Sequence, residues 1–201
     1  PATSLTYSFV GTNVVISWVP GVNSFYKINE YDIRYGDTWS SNYAARIHNL
    51  GAPSISINVG WGGTRKYWVA PEDMAENYGA PTSIDILVES PDWSTNPVVH
   101  TLDSTGAAVL SWVSPTIGSL PISNYEIRQG GLTGDSATLV GLIKTTTHSE
   151  NVTWGPSSGE PSRDFWVRAI DSAGNLSPWQ KHSVEIRNPV DIKDLAYTLV
   201  G

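Results

Sequence analysis

Apolar and polar residues alternate along this chain in short runs, and the alternation predicts strands. Asn13-Val14-Val15-Ile16-Ser17-Trp18 is rich in β-branched and aromatic residues and is closed by Pro20-Gly21. Tyr31-Asp32-Ile33-Arg34-Tyr35 alternates ring or aliphatic side chains with charged ones and stops at Gly36. In Phe165-Trp166-Val167-Arg168-Ala169, a period of two sets Phe165, Val167 and Ala169 on one face and Trp166 with Arg168 on the other. Residues 83–88 and 183–186 each supply a closing strand. Helical periodicity is nearly missing: residues 73–78 have room for one helical turn but carry no apolar stripe to extend it. With 18 Gly and 13 Pro spread between the runs, the chain reads as all-β and built of sandwiches.

The runs recur in order. Val15-Ile16-Ser17-Trp18 returns 94 positions later as Val109-Leu110-Ser111-Trp112, and Tyr31-Asp32-Ile33-Arg34 returns at the same spacing as Tyr125-Glu126-Ile127-Arg128. Tyr67-Trp68-Val69 returns 98 positions later as Phe165-Trp166-Val167. So long a period exceeds the roughly 20–50 residues of a solenoid unit and matches one small domain. The expected division is residues 1–90 and 91–189, with the first boundary at Ser90-Pro91. Residues 190–201 read as the start of a third repeat or a linker, because Tyr197-Thr198-Leu199-Val200-Gly201 echoes Tyr7-Ser8-Phe9-Val10-Gly11. By the same reading the chain is an excerpt of a longer array.

Composition narrows the function classes. The chain is 40% hydrophobic and 15% charged, the balance of a folded protein. A net charge of −7 lacks the basic face that phosphate neutralisation requires, so no nucleic-acid partner is expected. No apolar run approaches the ~18 residues of a membrane span, and no membrane insertion is expected. Cysteine is absent, which removes disulfides and thiolate metal sites.

No catalytic constellation emerges, and an enzyme is not expected. His48, His100, His148 and His182 fall in loops or near strand ends, outside any metal-protease motif, and read as solvent-facing. No Gly-x-Ser-x-Gly pentad occurs. Gly60-Trp61-Gly62-Gly63 lacks the Lys-Ser/Thr pair of a phosphate loop and reads as the turn between fifth and sixth strands. Residues 171–175 lack the alternating acids of a calcium loop. Neither metal nor cofactor is implied.

These landmarks together resemble the fibronectin type III fold. The family carries a strand-two Trp, matched by Trp18 and Trp112, and a strand-three Tyr followed by an alternating apolar residue, matched by Tyr31 and Tyr125. Its sixth strand runs into a loop matched by residues 167–175 of the second repeat; in the first, Ala70-Pro71-Glu72-Asp73 stands in that loop's place. Both copies depart from the family at the sixth-strand corner tyrosine, where Arg65 and Arg163 fall. The resemblance implies two tandem seven-stranded Ig-like β-sandwiches. The succession of Tyr125-Glu126-Ile127-Arg128, residues 136–140, Thr153-Trp154 and residues 165–171 is similar to fibronectin modules in tailed-bacteriophage tail-tip, host-specificity and central-fibre proteins. That similarity implies a virion component, extracellular at the end of a phage tail. It would belong to a homo-oligomeric assembly with other tail proteins as partners and a host-cell receptor or glycan as target. The alternative is an accessory spacer or glycan-binding module of a secreted bacterial carbohydrate-active enzyme.

Nine tryptophans in 201 residues are the unusual part of the composition. Trp18 and Trp112 are expected in the two cores. Trp166 is expected on an outer face, stacked by Arg128 or Arg168, with Trp179 closing the ladder; an exposed guanidinium–indole contact contributes roughly 0.5–1 kcal/mol. Ala70 replaces the Arg168 position in the first copy, which predicts a shorter ladder there. Trp39, Tyr43 and Trp61 lie in loop or edge segments, where exposed rings suit stacking against a sugar or a partner protein.

Overall fold

The computed structural model describes residues 1–21, 27–40, 42–47, 53–95, 97–105, 107–151 and 159–186, without the side chains of residues 43–47. The expected third-repeat start at 190–201 and His48 lie outside these residues.

The first repeat forms β1 (Thr3–Val10), β2 (Asn13–Val19), β3 (Ile28–Tyr35), β4 (Asn42–Ile47), β5 (Ser54–Asn58), β6 (Gly63–Asp73) and β7 (Thr82–Val88). They make a three-stranded sheet in the order β1-β2-β5 and a four-stranded sheet in the order β4-β3-β6-β7. The second repeat forms β8 (Val99–Leu102), β9 (Ala108–Ser111), β10 (Ile122–Gln129), β11 (Thr138–Ile143), β12 (Thr147–Glu150), β13 (Ser162–Asp171) and β14 (Gln180–Glu185). Their sheets run β8-β9-β12 and β11-β10-β13-β14, the same two orders. All these pairings are antiparallel. The fold is therefore all-β, two tandem sandwiches of fibronectin type III-like topology. The described residues group into two compact units: those within 1–94, 114–124 and 169–178, and those within 95–113, 125–168 and 179–186.

Strand alternation builds each core. Val14, Ile16 and Trp18 of β2 are buried, as are Tyr31 and Ile33 of β3, Tyr67 and Val69 of β6, and Ile86 and Val88 of β7. Trp18 meets Tyr31 edge-on with ring centroids 5.1 Å apart. In the second copy Leu110 and Trp112 face Tyr125, Ile127, Phe165, Val167 and Val184, all buried, and Trp112 meets Tyr125 edge-on at 5.4 Å. Such ring pairs are worth ~0.5–1.5 kcal/mol beyond their area.

The loop after the sixth strand corrects the sequence reading. Residues 73–78 form no helical turn, and the first repeat keeps the loop of the second with different residues. Asp73 Oδ1 accepts from the backbone N–H groups of Ala75 and Asn77, as Asp171 Oδ1 does from those of Ala173 and Asn175. Asp73 N–H donates to Asn77 O and Asp171 N–H to Asn175 O. Glu76 holds φ 62° where Gly174 holds φ 85°. Asp and Asn four residues apart carry the loop, and the residues between them are free to differ.

Candidate functional site

The sandwich rule of alternate inward residues continues past the end of the first core. Tyr31, Ile33 and Tyr35 share one face of β3; Arg65, Tyr67 and Val69 share the matching face of β6, with Ile33 opposite Val69 and Tyr35 opposite Tyr67. At the strand end there is no more core to fill, so Tyr35 and Arg65 stand at the mouth of the sandwich. Trp61, in the turn between β5 and β6, packs partly buried against the core edge. Together with Ile57, Asn58 and Tyr67 these side chains line an open cleft of about 380 Å³.

Inside the cleft the Arg65 guanidinium lies 4.2 Å from the Trp61 ring centroid and 5.0 Å from that of Tyr35. Tyr67 stands 6.0 Å from each of those rings. Burial pushes the Tyr67 hydroxyl above its usual pKa, and the neighbouring Arg65 works in the opposite direction. The Trp61 indole nitrogen is buried with no acceptor among the described residues, an omission worth about 1–3 kcal/mol when nothing compensates it. Arg65 has no carboxylate partner among the described residues. A smaller hollow of about 220 Å³ beside Ile28, Pro71 and Tyr78 offers Asp73 as its charged group, and that carboxylate is already engaged by Ala75 and Asn77.

The second copy supplies the comparison. Arg163 occupies the position of Arg65, but its Nε and Nη2 donate to Glu160 Oε1 and Oε2 at 3.0 and 2.8 Å, and its Nη1 to Gln129 Oε1 at 3.3 Å. The first copy has Gly62 where Glu160 stands, Tyr35 for Gln129 and Trp61 for Gly159. The same cation is thus closed by an acid in one copy and walled by rings in the other. Neither arginine reproduces the corner tyrosine of the family.

The remaining expected site residues separate. Trp18 and Trp112 are core residues, 4% and 5% exposed. Trp39 does not reach the Trp61 cleft residues: the Arg34 guanidinium sits 4.6 Å from its ring and Tyr78 meets it edge-on at 6.2 Å. The Tyr43 side chain lies outside the described residues. The expected ladder exists around a different ring. Arg168 and Arg128 lie 4.2 and 5.4 Å from Trp179, whereas Trp166 has Lys181 Nζ at 5.6 Å. Trp166 is drawn away because its N–H donates to Gly130 O at 3.0 Å, and Lys181 is its cross-strand partner. Trp68 makes the same bond to Gly36 O at 2.8 Å. Both guanidiniums converge on Glu126, Arg128 Nε on Oε1 at 2.6 Å and Arg168 Nη2 on Oε2 at 2.7 Å. In the first copy Asp32 pairs with Arg34 at 2.8 Å, and its Oδ1 is buried without a partner among the described residues.

The histidines require a correction as well. His100 of β8 and His182 of β14 are half-buried, not solvent-facing, and their Nδ1 and Nε2 atoms lie 2.8 Å apart. Burial, then the nearby His100, lowers the pKa of His182 below its usual value. His148 Nε2 lies 3.3 Å from Glu150 Oε2. Among the described residues no group of three or more His, Asp or Glu is placed to hold a metal ion.

Comparison with known proteins adds little beyond the fold. No family model matches the chain, and no curated protein matches it. Among solved structures it is similar to the FN1-FN3 domains of chicken CNTN1, with 13% identity and a TM-score of 0.37 over 93% of this chain and 67% of that one. The duplicated sheet orders, and not this likeness, define the fold.

Proposed function

We propose that the chain is a structural and interaction array, and that it serves at the tip or central fibre of a bacteriophage tail by spacing and presenting host-contact surfaces. The observation that carries the interaction part is the difference between the two copies. The frame is duplicated contact for contact: strand-two Trp on strand-three Tyr, sixth-strand Trp on a glycine carbonyl, Asp–Asn loop. The rings beside Arg65 are not duplicated: Gly159 and Gln129 stand where the first copy has Trp61 and Tyr35. Side chains that differ where the frame is constant are those available for contact, and here they gather in one open cleft of the first copy. The tail location is supported by the similarity of the second repeat's ordered phrases to tail modules. This reading gives the chain a binding role and no reaction step.

Immunoelectron microscopy tests the location. Gold-labelled antibody against residues 1–201, applied to phage particles recovered from the source culture, is expected at the distal end of the tail. Label on capsids, or label confined to secreted enzyme fractions, overturns the tail assignment.

A further inference from the structure

We infer that the Arg65 cleft binds a carboxylate-bearing glycan, the sugar carboxylate pairing with the Arg65 guanidinium as an internal carboxylate pairs with Arg163. The inference rests on the contact-surface reading above and names the ligand class of that surface. The second copy shows what a guanidinium at this strand position recruits: two parallel N–H···O bonds to one carboxylate and an amide oxygen at 3.3 Å. In the first copy Gly62 and Tyr35 stand at those two positions, the Asn175 amide packs against Gly62, the Tyr67 hydroxyl meets Arg65, and no carboxylate among the described residues pairs with the guanidinium.

Ring contact does not consume the donors of Arg65. A guanidinium on an aromatic ring uses its face, while its five N–H groups lie in its plane. Trp61 and Tyr35, 4.2 and 5.0 Å from Cζ, flank the fork, and the Tyr67 hydroxyl meets one of its N–H groups. A fork already ordered loses less freedom when a carboxylate binds, and the bidentate pair fixes the orientation of what it binds.

The same rings select a sugar over other acids. A pyranose has an apolar C–H face and a polar rim, which suits an aromatic wall beside a single cation. A peptide strand would draw on main-chain donors along a sheet edge, whereas this cleft offers ring faces and one guanidinium. At about 380 Å³ the cleft falls in the usual range for small-ligand sites, ~300–1,000 Å³.

The test uses the whole chain, labelled with ¹⁵N and titrated with galacturonic acid tetramer, a neutral galactose tetramer and a tetraglutamate peptide. The galacturonate is expected to shift the Arg65 Nε–H and Trp61 indole N–H signals saturably. Arg65→Gln should weaken that binding at least about tenfold, Arg65→Lys should weaken it less, and Arg163→Gln should leave it unchanged. Because Lys keeps the charge, the pair remains informative if Gln perturbs folding. Equal binding of the neutral tetramer would show a ring platform without carboxylate recognition and overturn the inference. Equal binding of tetraglutamate would overturn the choice of sugar, and no saturable shift with the galacturonate would remove the ligand class. No virion enters this experiment, so its failure leaves the tail location standing, and gold absent from tails leaves the cleft chemistry standing.

Discussion

Glu76 sits in a left-handed backbone conformation, φ 62°, that its counterpart Gly174 adopts at φ 85°. For a residue with a Cβ that conformation costs roughly 1–2 kcal/mol. The surrounding loop holds Glu76 there: Asp73 binds the N–H groups on both sides of it, and the Glu76 N–H itself donates to Asp73 O at 3.0 Å. Glu76→Gly removes the steric cost and gives back about 0.5–1 kcal/mol of unfolded-chain entropy. The Glu76 side chain is exposed, so little else is lost, and the net gain should be about 0.5–1 kcal/mol. The reciprocal Gly174→Ala meets no atom within 4 Å of its new Cβ, which isolates the backbone cost; it should destabilise its loop by a similar amount. Amide exchange is the suitable assay because it reads the loops one at a time. Protection at Asn77 N–H, bonded to Asp73 Oδ1 at 3.1 Å, should rise about two- to fivefold in Glu76→Gly. Protection at Asn175 N–H should fall by a like factor in Gly174→Ala. If Glu76→Gly lowers protection, the side chain contributes more than its backbone strain, and the equivalence of the two loops fails as an energetic statement.

Trp112→Ala and Trp18→Ala should each cost about 3–5 kcal/mol by opening a cavity beside Tyr125 or Tyr31, read as a lowered denaturation midpoint; a loss under 1 kcal/mol would contradict the core assignment. His182 has a lowered pKa from burial and from His100, so its contribution is complete above its unfolded pKa of about 6.5. That contribution is lost as pH falls below 6.5 towards the depressed folded value, since the unfolded chain then binds the proton more readily; urea midpoints between pH 8 and 5 should fall less steeply in His182→Gln than in the parent. Arg168→Met should cost about 1–3 kcal/mol, because Glu126 is left with Arg128 alone, and a thermal melt with no shift would show the Trp179 ladder to be ornamental.

Much of the fold was open to a reading of periodicity, and the parts that were not have identifiable reasons. Alternation placed Phe165 and Val167 inward and Trp166 with Arg168 outward, the pattern found in β13. It did not say which ring the arginines would cover, because that depends on the Trp166 N–H reaching Gly130 O, 36 residues away. The first loop is hidden by two of its middle residues: Met74 and Glu76 stand where the second copy has Ser172 and Gly174, and the Asp, the Ala and the Asn persist. The His100–His182 contact joins positions 82 residues apart on strands of different sheets, beyond the range of any local pattern. Trp61 is legible as a ring in a turn, whereas Arg65 reads in the sequence only as a departure from the family's corner tyrosine. Its parity with Tyr67 and Val69 already placed it on the inward face at a strand end, where the core stops.

The energetics of that position bear on why the copies differ there. In the second copy Arg163 gains an ion pair with Glu160 whose side chains are 22% and 46% exposed, and pairs so exposed are worth roughly 0–1 kcal/mol. In the first copy Arg65 gains two ring contacts, each worth roughly 0.5–1 kcal/mol when exposed. Against that gain stands the buried Trp61 N–H, which has no acceptor among the described residues and costs about 1–3 kcal/mol when nothing compensates it, so the ring arrangement is not the better one for folding. What does change is the state of the cation. Glu160 occupies in-plane donors of Arg163, while no carboxylate among the described residues takes those of Arg65, one of which meets the Tyr67 hydroxyl. A substitution set that gains nothing for stability and leaves a cation without its carboxylate, in the same cleft that gains Trp61 and Tyr35, alters recognition while leaving the sandwich as it was.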